Sequence, residues 1–324
     1  MLSKGAFLLS LDTELAWGGL YNGKFRERES MILATRPLIG RLLDLLAMYD
    51  LHATWAVVGH LFLDGCPPGS RRHPELVRPD YRWLEGDWLD PVPCTATATD
   101  PRWYAPDILE AILSCPARQE IGSHTFSHVI AGHPECSRQC FESEVRACVE
   151  AARRRGLKLT SFVYPRNSVA HLDVLEENGF KAYRDSATVG ALTGLPGPLG
   201  KIARGLRWVT PSSPLTSEPE RRGGLWCLPD TSFYLHREGP AGWLPVRGRV
   251  WRAATGLAEA AREKRIFHLY LHPFNLASDP DGLLGGLEEI FGMVARLREQ
   301  GTLDNPTMGD MARQLDARTG SDGR

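Results

Sequence analysis

Short, nearly continuous apolar runs, each followed by residues that can ionise, constrain the fold of this chain more than any other feature. The first run covers residues 6–11 and the second covers residues 52–59, with an amphipathic helix predicted between them from residue 35. Strands that are apolar on both faces are typical of parallel sheets covered by helices on both sides. This order of strand, helix and strand predicts the start of a β/α series.

The β/α alternation continues along the chain, with two interruptions. Residues 63–106 and 188–229 lack clear periodicity and are rich in loop-forming residues, so we interpret both as insertions, and we expect the first to lie over an active-site mouth. Six or seven β/α units favour one distorted barrel over two domains, and we expect a single domain spanning residues 1–324. Helices are predicted at 107–113, 136–155, 169–178, 249–263 and 282–299, and further strands at 119–123, 159–164, 180–183 and 265–271.

Charge and cysteine content exclude several classes of protein. The chain has 38 Lys and Arg against 39 Asp and Glu, so no net field attracts nucleic acid. Seven cysteines without a CxxC pair predict no disulfide framework and indicate a reducing compartment. No segment approaches the roughly 20 apolar residues that span a bilayer. We therefore expect a cytoplasmic protein with no membrane insertion and a small-molecule or glycan partner.

The first strand ends in two carboxylates, Asp12 and Glu14. On an extended backbone a spacing of two residues puts both side chains on one side. Charges beside a buried strand are costly to desolvate without a partner. We expect both carboxylates to face the same ion or substrate, unless they are simply solvated in a strand-to-loop turn.

Two histidines, His124 and His128, follow the strand predicted at 119–123. On a helical turn, side chains four residues apart lie on one face, so both imidazoles could bind one metal ion. An ordinary pair of surface or core histidines is the alternative.

Further polar groups follow other strands. Arg166 comes after the strand at 159–164, and His272 comes after the strand at 265–271. Trp17 lies in a glycine-rich loop after the first strand and could stack on a sugar ring or serve in packing. Catalytic groups in α/β barrels collect at the carboxyl ends of the strands, so this coincidence indicates an active site.

Taken in order from residue 8 to 275, these motifs resemble those of the NodB-homology polysaccharide deacetylases of carbohydrate esterase family 4. That family has a distorted (β/α)7 barrel and a first motif of Thr-Phe-Asp-Asp, which residues 10–14 resemble as Ser-Leu-Asp-Thr-Glu. The resemblance implies that Asp12 is the catalytic base and Glu14 a metal ligand, with Thr13 as the alternative ligand.

The other family motifs extend the resemblance. His-Ser/Thr-x-x-His is matched in full by residues 124–128, which implies that His124 and His128 are metal ligands. Leu-x-x-His is matched by residues 269–272 and implies that His272 is the general acid. Asp230 is a candidate for the acid that tunes this histidine.

The family's Arg-x-Pro-Tyr motif is matched loosely by residues 164–167, with the arginine displaced. The resemblance implies that Arg166 orients the catalytic base. Trp17, Tyr164 and Asn167 are the expected substrate contacts, together with tryptophans of the first insertion.

The implied function is a metal-dependent N-deacetylase acting on an acetamido sugar. The substrate would be a biosynthetic intermediate, a nucleotide-linked or lipid-linked sugar, or an oligosaccharide. Two imidazoles and a carboxylate suit zinc, and also accept cobalt, nickel or manganese. The alternatives are a deformylase or an allantoinase-like hydrolase of cyclic amides, and an inactive barrel that binds glycan.

Overall fold

The computed structural model describes residues 2–66, 72–186, 215–237, 242 and 245–321. These parts of the chain contain ten strands and seven α-helices. The strands are β1 (Gly5–Thr13), β2 (Ala53–Val57), β3 (Gln119–Ser123), β4 (Ser161–Val163), β5 (Ala182–Arg184), β6 (Glu220–Arg222), β7 (Leu225–Cys227), β8 (Ser232–Phe233), β9 (Ile266–Leu271) and β10 (Leu303–Asp304). The helices are α1 (Glu29–Met48), α2 (Pro106–Leu113), α3 (Arg138–Arg154), α4 (Leu172–Glu177), α5 (Val246–Glu263), α6 (Pro280–Glu299) and α7 (Met308–Ser321).

The described strands form one sheet in the order β6-β7-β5-β4-β3-β2-β1-β9-β8, in which only the β6–β7 pair is antiparallel. The segment from β7 to β8 joins the two ends of this order. Leu228 N donates to Tyr183 O of β5, and Thr231 N donates to His268 O of β9. The sheet therefore curls into a barrel with seven parallel strand positions, and the predicted distorted (β/α)7 fold is confirmed.

The side chains of β1 alternate between the two faces of the barrel wall. Phe7 and Leu9 belong to the large core between the strands and the surrounding helices. Ala6 and Leu8 belong to a separate cluster inside the barrel. Because the period is two residues, Ser10, Asp12 and Glu14 continue the inward-facing series toward the carboxyl end.

The amino end of the barrel is closed by α7. Met308, Met311 and Leu315 pack into the inner cluster. The carboxylate of Glu120 accepts hydrogen bonds from Gly309 N at 3.0 Å and from the Thr54 hydroxyl at 2.9 Å. A carboxylate at a helix N-terminus stabilises the helix, because it interacts favourably with the helix dipole. Helix α7 therefore closes the amino end of the barrel, and Asp12 and Glu14 lie toward the opposite, carboxyl end.

Two expectations about the helices and cysteines need correction. Helix α1 begins at Glu29 rather than at residue 35, and Pro37 lies inside it. Cys66 and Cys94 form a disulfide within the first insertion, so the cysteine count no longer supports a reducing compartment. A pairing across 28 residues of irregular sequence leaves no spacing signal such as CxxC.

The structure describes most of the first predicted insertion but only part of the second. Residues 72–106 are described and consist mainly of turns and irregular backbone, as predicted. Most of the second, residues 188–214, lies outside the described residues, and its described part contains the β6–β7 hairpin. The single domain over residues 1–324 therefore stays a prediction. No helix in the described parts combines the length and the hydropathy that crossing a lipid bilayer requires.

Candidate active site

Asp12 and Glu14 lie together inside the carboxyl end of the barrel. Both are buried, with 3% and 4% of their surface exposed. The alternative ligand, Thr13, faces the other way and donates its hydroxyl to Leu11 O at 3.3 Å. Gly18 of the following loop packs directly on Glu14, since a β-carbon at this position would lie 1.4 Å from Glu14 Oε2. A side chain at position 18 would therefore displace the Glu14 carboxylate from its observed position, and the loop covers this carboxylate.

His124 and His128 lie close together, but not on a helical turn as predicted. The backbone after β3 bends through two left-handed residues, Thr125 at φ 60° and His128 at φ 63°. The imidazole centroids are 5.1 Å apart. The buried carboxylate of Glu144 on α3 holds the turn by accepting hydrogen bonds from Ser127 N at 2.6 Å and Phe126 N at 3.0 Å. The two imidazoles are therefore brought together by this turn, which Glu144 holds, and not by a helix.

Glu14, His124 and His128 form a group that can hold a divalent metal ion. One candidate ligand atom from each residue lies within 4.8 Å of the others. His124 Nδ1 lies 2.8 Å from Val163 O, so this nitrogen carries the proton and Nε2 presents a lone pair to an ion. Both ring nitrogens of the buried His128 lack a hydrogen-bond partner among the described residues, although Nε2 lies 3.3 Å from Glu14 Oε2. A metal ion would satisfy one of these nitrogens.

The protonation states favour this metal group. Burial lowers the pKa of His124 to about 4, so its ring is neutral, as a metal ligand must be. Burial opposes ionisation of Glu14, but the imidazoles of His272 and His128 outweigh it and hold the pKa of this carboxyl well below its usual value. The site therefore offers two imidazoles and an ionised carboxylate.

A second group of three, Asp12, Glu14 and His272, also lies within 4.8 Å. Both carboxylate oxygens of Asp12 are already held by Arg184, with Nη1–Oδ1 at 2.6 Å and Nη2–Oδ2 at 2.7 Å. A buried bidentate pair of this kind competes with metal coordination. The group containing both His124 and His128 is therefore the better metal site.

Arg184, at the end of β5, is the arginine that orients Asp12. The sequence had assigned this role to Arg166, whose exposed guanidinium lies instead over the Tyr21 ring at 4.3 Å. Burial disfavours the charge on Asp12, but Arg184 overcomes this effect and lowers the pKa of the carboxyl. The prediction for Arg166 was wrong because β4 and β5 are neighbours, and either strand can send an arginine to the barrel centre.

Asn167 and Asp230 hold Arg184 in place. Asn167 accepts a hydrogen bond from Arg184 Nη2 at 3.2 Å and donates one to Asp230 Oδ2 at 3.1 Å. Asp230 Oδ2 also lies 3.9 Å from Arg184 Nε. Asn167, expected to contact substrate, thus binds the arginine, and Asp230, expected to tune His272, supports the same arginine.

A second chain of hydrogen bonds supports Arg184 from below. Its Nη1 donates to the Ser10 hydroxyl at 2.9 Å, and Ser10 Oγ lies 2.9 Å from His268 Nε2. His268 Nδ1 lies 3.1 Å from Leu228 O, so this nitrogen carries the proton and Nε2 accepts from Ser10. Burial, followed by the charge of Arg184, lowers the pKa of His268 to about 3, so the ring is neutral.

His272 lies at the entrance, between the two carboxylates and an aromatic wall. Its Nε2 is 2.8 Å from Glu14 Oε1 and 3.7 Å from Asp12 Oδ2. The rings of Phe233 and Phe274 pack against the imidazole at centroid distances of 5.5 and 5.7 Å. Burial disfavours the imidazolium, but the two carboxylates prevail and raise the pKa of His272. The ring can therefore carry a proton near neutral pH.

Two of the predicted substrate contacts are core residues. Trp17 is fully buried, donates its Nε1–H to Trp103 O at 3.3 Å and packs on the His60 ring at 4.6 Å. Tyr164 is also fully buried and donates its hydroxyl to Ala170 O at 2.7 Å. Neither ring can stack on a sugar, so these two predictions were wrong.

Sequence reasoning missed Arg184, His268 and Glu144. Arg184 directly follows residues 180–183, which had been predicted as a strand. The rule that selected Arg166, a charge just after a buried strand, applies equally to Arg184 and could have identified it. His268 and Glu144 carry no such signal, because they lie within a strand and a helix.

Solved structures share this fold. A protein from Mycobacterium smegmatis assigned as a polysaccharide deacetylase matches 98% of this chain and 96% of its own, with a TM-score of 0.64 at 13% identity. The allantoinase PuuE matches 96% and 90% with a TM-score of 0.59 at 12% identity. A protein from Pseudomonas aeruginosa PAO1, also assigned as a polysaccharide deacetylase, matches 95% and 89% with a TM-score of 0.56 at 14% identity. No family model matches the chain, and no curated protein matches its sequence.

Proposed function

We propose that this protein, whose fold is that of the polysaccharide deacetylases, is a metal-dependent hydrolase that removes the N-acetyl group from an acetamido sugar. The observation that carries the proposal is the arrangement of three functional parts at one end of the barrel. An ion-paired carboxylate, Asp12, lies beside a candidate metal group, and His272 closes the entrance. Amide hydrolysis needs these parts: a proton acceptor, a site for an ion, and a proton donor.

Glu14, His124 and His128 would hold the ion, and the donor set suits zinc, with cobalt, nickel or manganese as substitutes. When bound there, such an ion supplies Lewis acidity, which lowers the pKa of water toward about 7 and polarises the amide carbonyl.

Asp12 would act as the general base. Arg184 fixes the orientation of the carboxylate with two hydrogen bonds and keeps it ionised by lowering its pKa. A fixed, ionised carboxylate can accept the proton of an attacking water molecule without rearrangement. Arg184 is a positioning residue, because it acts through Asp12.

His272 would act as the general acid. It stands 3.7 Å from Asp12, and the neighbouring carboxylates of Glu14 and Asp12 raise its pKa, which favours the protonated ring. The departing amine needs this proton in order to leave as a neutral group. The aromatic wall of Phe233 and Phe274 restricts the ring to its place at the entrance.

The proposed substrate class is an acetamido sugar in a biosynthetic intermediate, nucleotide-linked or lipid-linked sugar, or oligosaccharide. Hydrolysis of a cyclic amide is the second candidate, because the allantoinase PuuE shares the fold with a TM-score of 0.59. Deformylation would use the same site with a smaller acyl group.

The test is hydrolysis by the zinc-loaded and cobalt-loaded protein. We expect acetate release from N-acetylglucosamine or its oligomers, and a loss of at least about 100-fold in kcat/KM for Asp12→Asn. Ring opening of allantoin without acetate release would favour the second candidate, and formate release from N-formyl sugars would favour deformylation. Binding of sugars without turnover of any amide would contradict the hydrolase proposal and favour a glycan-binding barrel.

A further inference from the structure

A cavity of about 440 Å³ opens beside the candidate active site. Its lining comes from loops that follow the carboxyl ends of β1, β3 and β4, together with one side chain of the first insertion. The lining residues are Tyr21, Trp83, Ile130, His133, Arg166 and Ser168. Since Asp12, Glu14 and His128 belong to the first two of these strand ends, the cavity lies at the same end of the barrel as the reacting groups.

Arg166 gives this cavity a positive charge. The side chain is exposed, and among the described residues no carboxylate forms an ion pair with it. Its neighbour on the insertion, Arg82, is paired with Glu135 at 2.9 Å. An arginine left without an anion at a cavity wall is suited to bind one from a ligand.

The backbone around Arg166 is held in an uncommon conformation. Arg166 and Asn167 both have left-handed dihedrals, at φ 58° and 52°. Such strain persists where surrounding contacts fix it, and it collects at functional sites. The bonds of Asn167 to Arg184 and Asp230 fix this turn, so the same turn that supports Arg184 directs Arg166 outward over Tyr21.

Trp83 supplies an apolar wall. Its ring stacks on Tyr81 at a centroid distance of 5.0 Å, and 45% of the side chain is exposed. A partly exposed indole at a cavity wall can pack against the apolar face of a sugar ring.

We propose that this cavity is a subsite for an anionic group, a carboxylate or a phosphate, carried by the substrate next to its acetamido sugar. The inference rests on the proposed function and narrows its substrate class to charged sugars. Arg166 binds the anion, and Trp83 packs against the adjoining ring. A neutral polysaccharide would leave the guanidinium unused.

The test compares the binding of neutral and charged sugars. The ligands are N-acetylglucosamine, N-acetylglucosamine 1-phosphate and N-acetylmuramic acid, titrated by calorimetry at low salt, with ligand-observed NMR for weak binding. We expect at least one charged sugar to bind about 10-fold more tightly than the neutral one, and this preference to disappear in Arg166→Gln. The preferred charged sugar identifies phosphate or carboxylate as the bound group.

Arg221→Gln is the matched control. Arg221 also lies over an aromatic ring, that of Trp226 at 5.0 Å, but it is paired with Asp316 and lies on β6. This variant should keep the preference for the charged sugar. Equal binding of charged and neutral sugars by the unmodified protein would overturn the inference, as would a preference that survives in Arg166→Gln.

Binding and turnover separate this inference from the proposed function. A preference that depends on Arg166, without acetate release from any of the three sugars, supports the subsite and counts against the deacetylase. Acetate release from neutral and charged sugars with equal kcat/KM supports the deacetylase and overturns the subsite.

Discussion

Arg184 reaches from the end of β5 to both carboxylate oxygens of Asp12 on β1, at 2.6 and 2.7 Å, inside the barrel. Neither side chain has more than 4% of its surface exposed. The pair joins strands that are not neighbours in the sheet, so it fixes the carboxylate relative to the whole barrel. The candidate catalytic base is thereby oriented before substrate binds.

Removing the guanidinium should impair catalysis through Asp12. For Arg184→Gln we expect a loss of about 100-fold or more in kcat/KM, and the acidic limb of the pH profile should move to higher pH. The reason is that Arg184 lowers the pKa of Asp12, so its removal lets this carboxyl protonate at higher pH. Arg184→Lys, which keeps the charge, should shift the limb less.

Two measurements control this prediction. Breaking a buried pair costs about 3–5 kcal/mol, so each variant is assayed at a temperature where circular dichroism shows it folded. Arg166→Gln should leave the acidic limb in place, because Arg166 lies over Tyr21 and not at Asp12. A limb that moves in Arg166→Gln but not in Arg184→Gln would restore the assignment made from sequence.

Metal content should distinguish the two groups of candidate ligands. We expect about one zinc per chain in His272→Asn and an affinity lowered more than about 100-fold in His124→Asn and His128→Asn. The reason is that Asp12 is occupied by Arg184, which leaves Glu14, His124 and His128 as the complete set. Elemental analysis and zinc titration provide the measurement. Loss of zinc in His272→Asn with retention in His124→Asn would move the ion to the other group.

Truncation of Trp17 should reduce stability, whereas truncation of Trp83 should mainly raise KM. Trp17→Ala should lower the free energy of unfolding by about 3–5 kcal/mol, because the indole is fully buried. Trp83→Ala should cost about 1 kcal/mol or less and raise KM, because its partly exposed ring lines the cavity. Urea unfolding and steady-state kinetics measure the two effects. A higher KM with unchanged stability in Trp17→Ala would return that residue to the substrate site.

Glu144 should make stability depend on pH. Burial raises the pKa of Glu144 to about 6 from 4.5, so the folded state binds more protons than the unfolded state between these values. Its contribution is therefore complete below pH 4.5 and decreases by about 2 kcal/mol as the pH rises through 6. Glu144→Gln removes this ionisation.

The measurement is urea unfolding of both proteins from pH 4 to 7. The destabilisation caused by Glu144→Gln should be largest at pH 4 and smaller by about 2 kcal/mol at pH 7. A destabilisation that grows with pH would mean that the hydrogen bonds from Ser127 and Phe126 outweigh burial and that the pKa is not raised.

The disulfide in the first insertion should be detectable and stabilising. Alkylation of the unfolded, unreduced protein should modify five cysteines, since Cys66 and Cys94 are paired and five are free. Replacing both with serine should lower the free energy of unfolding by about 3–4 kcal/mol, the chain-entropy value for a loop of this length. Cys115→Ser, at a free cysteine, is the control. Seven alkylated cysteines would contradict the pairing.

Much of the site could be predicted because strand periodicity is local. Asp12 and Glu14 share a face because side chains alternate along β1, and His272 follows β9, where Leu271 is paired with Leu11. Such relationships depend only on spacing within a strand and on the common direction of parallel strands. Hence the fold and the proximity of these side chains could be predicted from the sequence, while their roles stay predictions.

The wrong predictions concern contacts between segments that are far apart in the sequence. Arg166 and Arg184 both follow strands, and only the three-dimensional structure shows which guanidinium reaches Asp12. Trp17 and Trp83 both lie in loops beside the mouth, yet one is buried under the first insertion and the other is partly exposed. The sequence pattern does not show which arginine reaches Asp12 or which tryptophan is buried, because the packing of distant segments determines both.

The position of β1 in the sheet also bears on how the chain is made. Residues 6–11 are paired with residues 266–271, so the edge of β1 that faces β9 has no partner until residues far along the chain have been synthesised. On the ribosome, the first half of the chain can form only an open sheet, with the backbone groups of that edge available to other chains. Arg184 emerges before His272, so Asp12 can gain its arginine first, while His272 is added only when β9 pairs with β1.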